Sequence, residues 1–408
     1  MGETRFNSYL ETFEKEAPVS IRLNVTKGRF FCDILGDVTK EPSLCYMPVP
    51  WCAEGYYLEG RPQFTFDPLF HAGCYYVQEA ASMFITHVIK WIMENGQWKM
   101  ETPLQMLDLC AAPGGKSTAM LSVLPEDCTL VSNEPIPTRA QILLENITKW
   151  GAKNCIVTNN YPRDFKKAKA KFDLILCDVP CSGEGMFRKD PATISEWSVQ
   201  NVEKCWRLQR EIVADAWECL NPGGIMIYST CTFNTKENEE NVRWIMEEYD
   251  AEVIDIPIDP SWHITGSLLD GFEAPVYRFI PGITKSEGLF VCVLRKRGEW
   301  REARGKRNDL RQLKCLSIDG MQELSTLQSP LSTPTVDLPY SEALKYLRGE
   351  AIVLPSDAPR GIVTVTYKGF ALGPVKNIGN RANNLYPKPW RIKTTHLPTE
   401  EVKIIDIQ

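Results

Sequence analysis

The sequence predicts an α/β fold built on a doubly wound sheet. Over residues 104–297, short apolar runs alternate with glycine-containing turns and longer helical stretches, and this repeat of strand, turn and helix is typical of such sheets. The runs at residues 172–177 and 225–228 are apolar almost throughout, as expected of parallel strands covered on both faces. Each of them is followed by a cysteine in a turn rich in Pro, Gly, Ser and Thr.

The elements are predicted in chain order from hydrophobic periodicity and turn residues. An extended run at residues 20–25 and a helix opening at residues 77–84 precede the repeat. Helices are predicted within the repeat at residues 140–150 and 202–219. Its strands are predicted at residues 106–109, 130–133, 155–158, 172–177, 225–228 and 289–294.

The chain is expected to divide into four parts. Residues 1–95 form an N-terminal α/β extension, and residues 96–300 form the doubly wound domain. Residues 301–339 form a basic linker region that ends in a Ser, Thr and Pro-rich segment. Residues 340–408 form a small β-rich domain, in which residues 361–367 alternate as a half-buried strand.

Composition excludes several classes of protein. A hydrophobic content of 43% in 408 residues is typical of a soluble protein, and no apolar run approaches the length of a membrane span. The polar start lacks the parts of a signal peptide, so we expect a cytoplasmic protein without a membrane partner. Fourteen cysteines, none in a Cys-x-x-Cys pair, with only four histidines indicate free thiols and no metal site.

Positive charge is concentrated in two segments, although the net charge is −6. Residues 295–314 contain nine basic residues against three acids, and residues 360–393 contain seven basic residues and no acid. Basic residues can neutralise phosphates, and aromatic side chains between them can stack on unpaired bases, which favours an RNA partner. The alternative is a solvated linker and a domain with a basic face. The aromatic residues of the second segment are Tyr367, Phe370, Tyr386 and Trp390.

Residues 107–117 predict a strand that leads through a glycine turn into a helix, where a ligand can approach the backbone closely. A P-loop would need glycine where this chain has Cys110, and the dinucleotide fingerprint is also absent. The remaining candidate ligand for this turn is a smaller molecule of the adenosine type. Glu134, at the end of the next strand, is placed to accept hydrogen bonds from ribose hydroxyls, although a helix cap is the alternative for such a carboxylate.

Strand-end cysteines are also placed for chemistry, because ligands bind outside the carboxyl ends of the strands in an open α/β sheet. Cys181 follows the run at residues 172–177, and Cys231 follows the run at residues 225–228. The alternative is that both are small, inert core residues.

Three motifs in this order resemble the Sun-type RNA cytosine-5 methyltransferases, and within them the bacterial branch typified by ribosomal RNA small-subunit methyltransferase F. The motifs are DLCAAPGGKS at residues 108–117, DVPCSGEGMFRKDP at residues 178–191 and YSTCTF at residues 228–233. The resemblance covers residues 20–300, and the tail is similar to the PUA-like RNA-binding domain of that branch. It implies a Rossmann-like class I methyltransferase domain, an RNA-binding or accessory N-terminal region, and S-adenosylmethionine as cofactor.

The resemblance also implies roles for four residues by their positions in the motifs. Carbon 5 of cytosine is a poor nucleophile, so a thiolate first adds to carbon 6, and Cys231 matches that nucleophile. Cys181 matches the second cysteine, which removes the carbon 5 proton and releases the product. Asp178 can hydrogen-bond the pyrimidine edge, and Lys116 matches the remaining polar position.

For the cofactor, the resemblance implies contacts from the glycine turn, Glu134, Asp178 and the end of the third strand. The family commonly has Asp at the adenine-contacting position, where this chain has Asn160, with Asn159 and Asp164 as alternatives. The turn residues expected at the cofactor are Cys110, Ala111, Ala112, Pro113, Gly114, Gly115 and Lys116.

The predicted function is therefore an RNA methyltransferase that forms 5-methylcytosine, with 16S ribosomal RNA or the small ribosomal subunit as partner. A Thr-Cys-Thr segment at residues 230–232 favours the RNA type, so DNA is not expected, and the chain is expected to act as a monomer. Transfer RNA is the alternative target. In a different class, a catalytically silent RNA-binding or assembly protein is the alternative function.

Overall fold

The computed structural model describes residues 2–27, 47–95, 103–298, 310–317, 333–394 and 396–405. Most of the predicted basic linker, and several of its basic residues, lie outside these ranges. Within them, no helix has both the length and the apolar character needed to cross a membrane.

A four-stranded antiparallel sheet precedes the central sheet. Its strands, in spatial order, are β2 (Met47–Val49), β3 (Cys52–Leu58), β1 (Val19–Leu23) and β4 (Tyr75–Val77). The predicted opening of a helix at residues 77–84 is wrong at its start, because Val77 pairs with Ile21 as part of a strand. The helix itself begins at Phe84. The helices of this region are α1 (Glu3–Leu10), α2 (Pro68–His71) and α3 (Phe84–Asn95).

The central sheet confirms the six predicted strands and adds two short ones. They are β5 (Gln105–Asp108), β6 (Thr129–Asn133), β7 (Cys155–Thr158), β8 (Phe172–Asp178), β9 (Leu220–Thr230), β10 (Glu252–Val253), β11 (Tyr277–Phe279) and β12 (Leu289–Arg295). The order is β10-β12-β9-β8-β5-β6-β7, with β11 paired to β12. Neighbours from β9 to β7 are parallel, and β12 is antiparallel to β9, so the sheet is mixed.

Helices cover both faces of this sheet, which confirms the doubly wound arrangement. They are α4 (Gly115–Leu121), α5 (Pro137–Trp150), α6 (Pro162–Lys167), α7 (Ala192–Glu196), α8 (Val199–Cys219) and α9 (Glu239–Tyr249). Side chains of β8 alternate between the two cores: Leu174 packs with residues of α3 and α5, and Ile175 packs with residues of α8 and α9.

The C-terminal region shares an apolar core with the N-terminal sheet. Ile21 and Tyr75 of that sheet belong to the same buried cluster as Leu344 and Val365 of the tail. Tyr340 also donates a hydrogen bond to the carbonyl of Phe66 at 3.0 Å. The tail contains β13 (Thr335–Asp337), α10 (Tyr340–Arg348), β14 (Gly361–Tyr367), β15 (Phe370–Asn377) and β16 (Ala382–Asn384), in sheet order β13-β14-β15-β16.

The tail aromatics do not form the predicted stacking surface. Tyr367, Phe370 and Tyr386 are buried in the shared core, and Trp390 is half-buried against the Tyr386 ring. The prediction of exposed aromatics is wrong, because these side chains face the apolar core. The basic residues that remain exposed are Arg360, Lys376, Arg381, Lys388 and Lys393.

A buried ion pair supports the segment that follows Cys231. Arg278 lies 2.5 Å from Glu239, with both side chains 1% exposed or less, and its guanidinium donates to the carbonyl of Phe233 at 2.9 Å. We expect Glu239→Ala to lower the free energy of unfolding by about 3–5 kcal/mol, because it leaves a buried guanidinium unpaired. Urea denaturation measures this, with Glu240→Ala as the control. A loss below about 1 kcal/mol, as for an exposed pair, would contradict the prediction.

Candidate active site

An open cleft lies at the carboxyl ends of β5 and β8. Six of the seven predicted turn residues line it. Residues of β4 and of the segment that follows it form another wall, which sequence patterns did not indicate. The lining residues are Tyr76, Val77, Gln78, Glu79, Ser82, Asp108, Cys110, Ala111, Ala112, Pro113, Gly115, Lys116, Asp178 and Lys189.

The turn after β5 depends on Gly114, whose φ of 112° lies in the left-handed region. A Cβ atom there would lie 3.2 Å from the Leu143 side chain, so a larger residue would be both strained and crowded. The amide of Ala111 donates to the carbonyl of Asn133 at 2.8 Å, which fastens the turn to the end of β6. The turn therefore presents its backbone to the cleft in a fixed conformation.

Two buried carboxylates at this edge each leave one oxygen without a hydrogen-bond partner among the described residues. Glu134 accepts a hydrogen bond from the amide of Ile136 through Oε1. Its Oε2 forms an ion pair with the Arg139 guanidinium at 3.4 Å. Asp108 accepts from Ser117, and burial raises its pKa to about 7. Buried carboxylate oxygens that accept no hydrogen bond suit a ligand with hydroxyl donors, so the residues present fit the expected adenosine ligand.

The three candidates for the adenine contact are engaged with the protein itself. Asn160 exchanges two hydrogen bonds with the main chain of Lys314, and Asn159 accepts from the Lys314 ammonium at 2.8 Å. Asp164 accepts from the amide of Tyr161 at the start of α6. The adenine role of Asn160 therefore stays a prediction, and the segment at residues 310–317 lies against it.

The two cysteines meet beside the cleft. β8 and β9 are parallel neighbours with Asp178 opposite Ser229, so the turns that follow them lie side by side. The sulfur atoms of Cys181 and Cys231 are 3.3 Å apart. The amide of Gly185 donates to the carbonyl of Cys231 at 2.8 Å and joins the two turns directly.

An ion pair lies next to the thiols. The Lys116 ammonium is 2.7 Å from Asp178, whose other oxygen accepts from the Ser229 hydroxyl. Burial lowers the pKa of Lys116, but the Asp178 carboxylate offsets this, and the pKa lies above its ordinary value. Lys116 is therefore a cation at neutral pH, held at the edge of the cleft.

The two thiols are not equivalent. Their mutual hydrogen bond lowers the pKa of Cys231, against the effects of burial and of the Asp178 carboxylate, and Lys116 adds to the lowering. The same hydrogen bond and burial raise the pKa of Cys181 well above its ordinary value. These opposite directions make Cys231 the sulfur that ionises more readily.

Two further carboxylates hold the turns in place. Glu184 accepts from the amides of Phe233 and Asn234, both at 2.8 Å, and so links the first cysteine turn to the second. Arg188 lies 2.5 Å from Glu287 in a buried ion pair. No group of three potential metal ligands occurs among the residues that the structure describes.

Comparison with family models covers most of the chain. The model described as 16S rRNA methyltransferase RsmB/F matches residues 98–295. The model of the N-terminal domain of 16S rRNA methyltransferase RsmF matches residues 1–80, and that of the methyltransferase RsmF PUA domain matches residues 333–392. The three models follow the chain in the order of the N-terminal sheet, the central sheet and the tail.

A ribosomal RNA small subunit methyltransferase F from Enterobacter sp. strain 638 is 31% identical over 409 residues, which covers 84% of this chain and 83% of the relative. This chain belongs to the methyltransferase F family. A relative of the same description from Pectobacterium atrosepticum is 36% identical over 256 residues, which covers 62% of this chain and 51% of the relative.

Solved structures agree with the fold. A methyltransferase homolog from Pyrococcus horikoshii has a TM-score of 0.59 at 26% identity and covers 72% of this chain and 90% of its own. NSun6 from the same organism has a TM-score of 0.58 at 21% identity, with 73% and 96% covered. The Rossmann-like class I methyltransferase fold is thereby confirmed, and the PUA domain follows from its family model.

In this methyltransferase F family member, the structure brings four predicted residues together: Lys116, Asp178, Cys181 and Cys231. Glu134 and Asn160 lie at neighbouring strand ends outside the cleft lining. The roles assigned to all six stay predictions. Sequence patterns missed the wall formed by residues 76–79, because nothing local in that segment indicates which surface it covers.

Proposed function

We propose that this protein is an S-adenosylmethionine-dependent RNA methyltransferase that forms 5-methylcytosine in 16S ribosomal RNA through a covalent cysteine–cytosine intermediate. The observation that carries the proposal is the pair of unequal thiols 3.3 Å apart, beside an ion pair that lines the cleft. Membership of the methyltransferase F family supports the RNA substrate.

In the first step, the Cys231 thiolate adds to carbon 6 of the target cytosine and makes carbon 5 nucleophilic. The Lys116 ammonium stabilises the negative charge that shifts to the pyrimidine edge as the sulfur adds, and Asp178 accepts a hydrogen bond from that edge. Their 2.7 Å ion pair holds the ammonium in place before the base arrives.

S-adenosylmethionine, when bound against the turn after β5, supplies the methyl group. Asp108 has a carboxylate oxygen without a hydrogen bond at the cleft, and Glu134, at the end of the next strand, would accept from the ribose hydroxyls. The turn residues would contact the remaining surface of the cofactor. Once carbon 5 carries the methyl group, a base takes the carbon 5 proton, the electron pair of that bond re-forms the double bond between carbons 5 and 6, and Cys231 leaves carbon 6 as a thiolate. Cys181, whose sulfur is 3.3 Å from that of Cys231, is the base for this step after its own proton has passed to solvent.

Bisulfite sequencing tests the proposal directly. RNA from cells with and without the protein is compared, and purified protein is incubated with unmodified 16S RNA, with small subunits and with transfer RNA. The proposal predicts new protected cytosines in 16S RNA or in the subunit. Methylation of transfer RNA alone would favour the alternative target, and no methylation of any RNA would favour a silent RNA-binding protein.

Removal of the Glu134 carboxylate should weaken cofactor binding. We expect Glu134→Ala to weaken S-adenosylmethionine binding by about 1–3 kcal/mol, because ribose hydroxyls lose an acceptor in a desolvated site. Calorimetry on the purified protein measures this, with the exposed Glu126→Ala as a matched control. An affinity equal to that of the control would remove Glu134 from the cofactor site.

Exposed basic residues of the tail should contribute to RNA capture. Because the tail shares its core with the N-terminal sheet, charge reversal is a cleaner test than truncation. We expect Lys376→Glu with Arg381→Glu to weaken RNA binding and to flatten its salt dependence by about 0.7–0.9 of a log unit per lost phosphate contact. Lys90→Glu on α3 serves as the control. Equal affinity and equal salt slope would make this basic face a solvated surface only.

A further inference from the structure

A fully buried carboxylate lies between the two cysteine turns. Glu237 is 0% exposed, and both of its oxygens are hydrogen-bonded. Oε2 accepts from the amide of Ser182 at 3.0 Å and from Gln209 at 2.7 Å, and Oε1 accepts from Asn234 at 2.7 Å. With three donors and no cation within salt-bridge distance among the described residues, this group places a net negative charge next to the thiols.

The contacts of Glu237 reach both sides of Cys181. Ser182 follows that cysteine, and Gln209 donates a further hydrogen bond to the carbonyl of Pro180 at 2.9 Å. The second turn is held less directly, through Asn234 and through the Tyr228 hydroxyl, which donates to the Glu237 carbonyl at 2.6 Å. Glu237 is therefore bonded next to Cys181, whereas its contacts on the other turn are three residues from Cys231.

The charges that act on the two thiols differ. Both members of the ion pair act on Cys231: the Asp178 carboxylate raises its pKa, and the Lys116 ammonium supports the lowering that the hydrogen bond from Cys181 produces. On the other side, the Glu237 carboxylate adds to the raised pKa of Cys181, after the hydrogen bond to Cys231 and burial. Glu237 also raises the pKa of Cys231, but there the ammonium opposes it.

Other charged or titratable groups near the thiols are already paired or neutral. Asp178 forms the ion pair with Lys116, and Glu184 accepts from two main-chain amides. Burial raises the pKa of Tyr228 well above its ordinary value, so it stays neutral. Burial likewise raises the pKa values of Cys177 and Cys205. Glu237 is thus the carboxylate that these contacts place beside Cys181.

We propose that Glu237 is a positioning residue that keeps the shared proton on Cys181 and thereby leaves Cys231 as the attacking sulfur. A second negative charge beside Glu237 would be repelled, so Cys181 stays an S–H donor while Cys231 gives its proton to solvent. The catalytic meaning of this asymmetry rests on the proposed function. The asymmetry itself is a property of the protein without RNA or cofactor.

Alkylation of the thiols tests the proposal without any substrate. The full-length protein is treated with iodoacetamide from mildly acidic to mildly alkaline pH, and labelled peptides are quantified by mass spectrometry. Because the thiolate is the reacting form, Cys231 should be labelled first and at lower pH than Cys181. If Cys181 is labelled first in the unaltered protein, the proposal is overturned without the need for any variant.

Glu237→Gln removes the charge and nearly keeps the shape. We expect the ratio of Cys231 to Cys181 labelling to fall by about tenfold, which corresponds to one unit of pKa separation. Glu237→Asp retains the charge and should restore the ratio, whereas a purely structural role would make both variants equally harmful. Glu240→Gln, on the same segment and partly exposed, is the control for loss of a charge.

An unchanged labelling ratio in folded Glu237→Gln would overturn the proposal. Circular dichroism establishes that each variant is folded before labelling. Failure of the proposed function would be seen separately, as absence of methylated RNA from a protein whose thiols still show the asymmetry. The two conclusions therefore fail in different experiments.

Discussion

Cys231→Ala is expected to abolish methyl transfer to RNA, with a loss of at least about a thousandfold in rate. Cys231 is the sulfur whose pKa is lowered by the hydrogen bond from Cys181, so its loss removes the thiolate that adds to carbon 6. Incorporation of labelled methyl groups from S-adenosylmethionine into 16S RNA measures the effect. The exposed Cys315→Ala is the matched control and should remain active.

Retention of substantial activity by Cys231→Ala would show that another group attacks the base. In that case Cys181, 3.3 Å away, becomes the candidate nucleophile. The same assay on the variant with both cysteines replaced would then show whether Cys181 carries the residual activity.

Cys181→Ala should have the opposite effect on the covalent intermediate. Cys231 can still add to the base and carbon 5 can still be methylated, but proton removal and release are slow without the second thiol. We expect a protein–RNA species that resists denaturant to accumulate to about one equivalent of the active protein. Denaturing gel electrophoresis with labelled RNA detects it.

The pair of variants also distinguishes the two possible assignments. If Cys231→Ala forms the trapped species and Cys181→Ala forms none, the roles of the two cysteines are reversed. If neither variant traps RNA while the unaltered protein methylates it, the reaction does not pass through a stable cysteine adduct. Either outcome would replace the mechanism proposed above.

Much of the central domain could be predicted because its signals are local. The strands at residues 106–109 and 172–177 were visible as apolar runs, and the turn between β5 and α4 was visible from its glycines. That Cys181 and Cys231 lie close together could also be predicted, because the carboxyl ends of parallel strands share one edge of the sheet.

Other features of the site had no local signal. Glu79 lines the cleft and accepts from the amide of Glu287, which is 208 residues away in the chain. Asn160 looked free for adenine, yet its side chain is bonded to the main chain of Lys314, 154 residues further on. The predicted start of a helix at Val77 was wrong for a similar reason. Strand pairing with β1, which is distant in sequence, outweighed the helical preference of the local segment.

The sequence by itself determined the α/β class, the order of the motifs and the residues available for chemistry, because each depends on neighbours along the chain. The tertiary structure decided that the tail aromatics fill a core shared with the N-terminal sheet, and that Glu237 stands beside Cys181. These facts depend on which distant surfaces bury one another. The hydrophobic effect depends on the apolar area removed from water and not on which residues cover it. An apolar pattern in the sequence therefore indicates that a side chain is buried, but it does not indicate which residues pack against it.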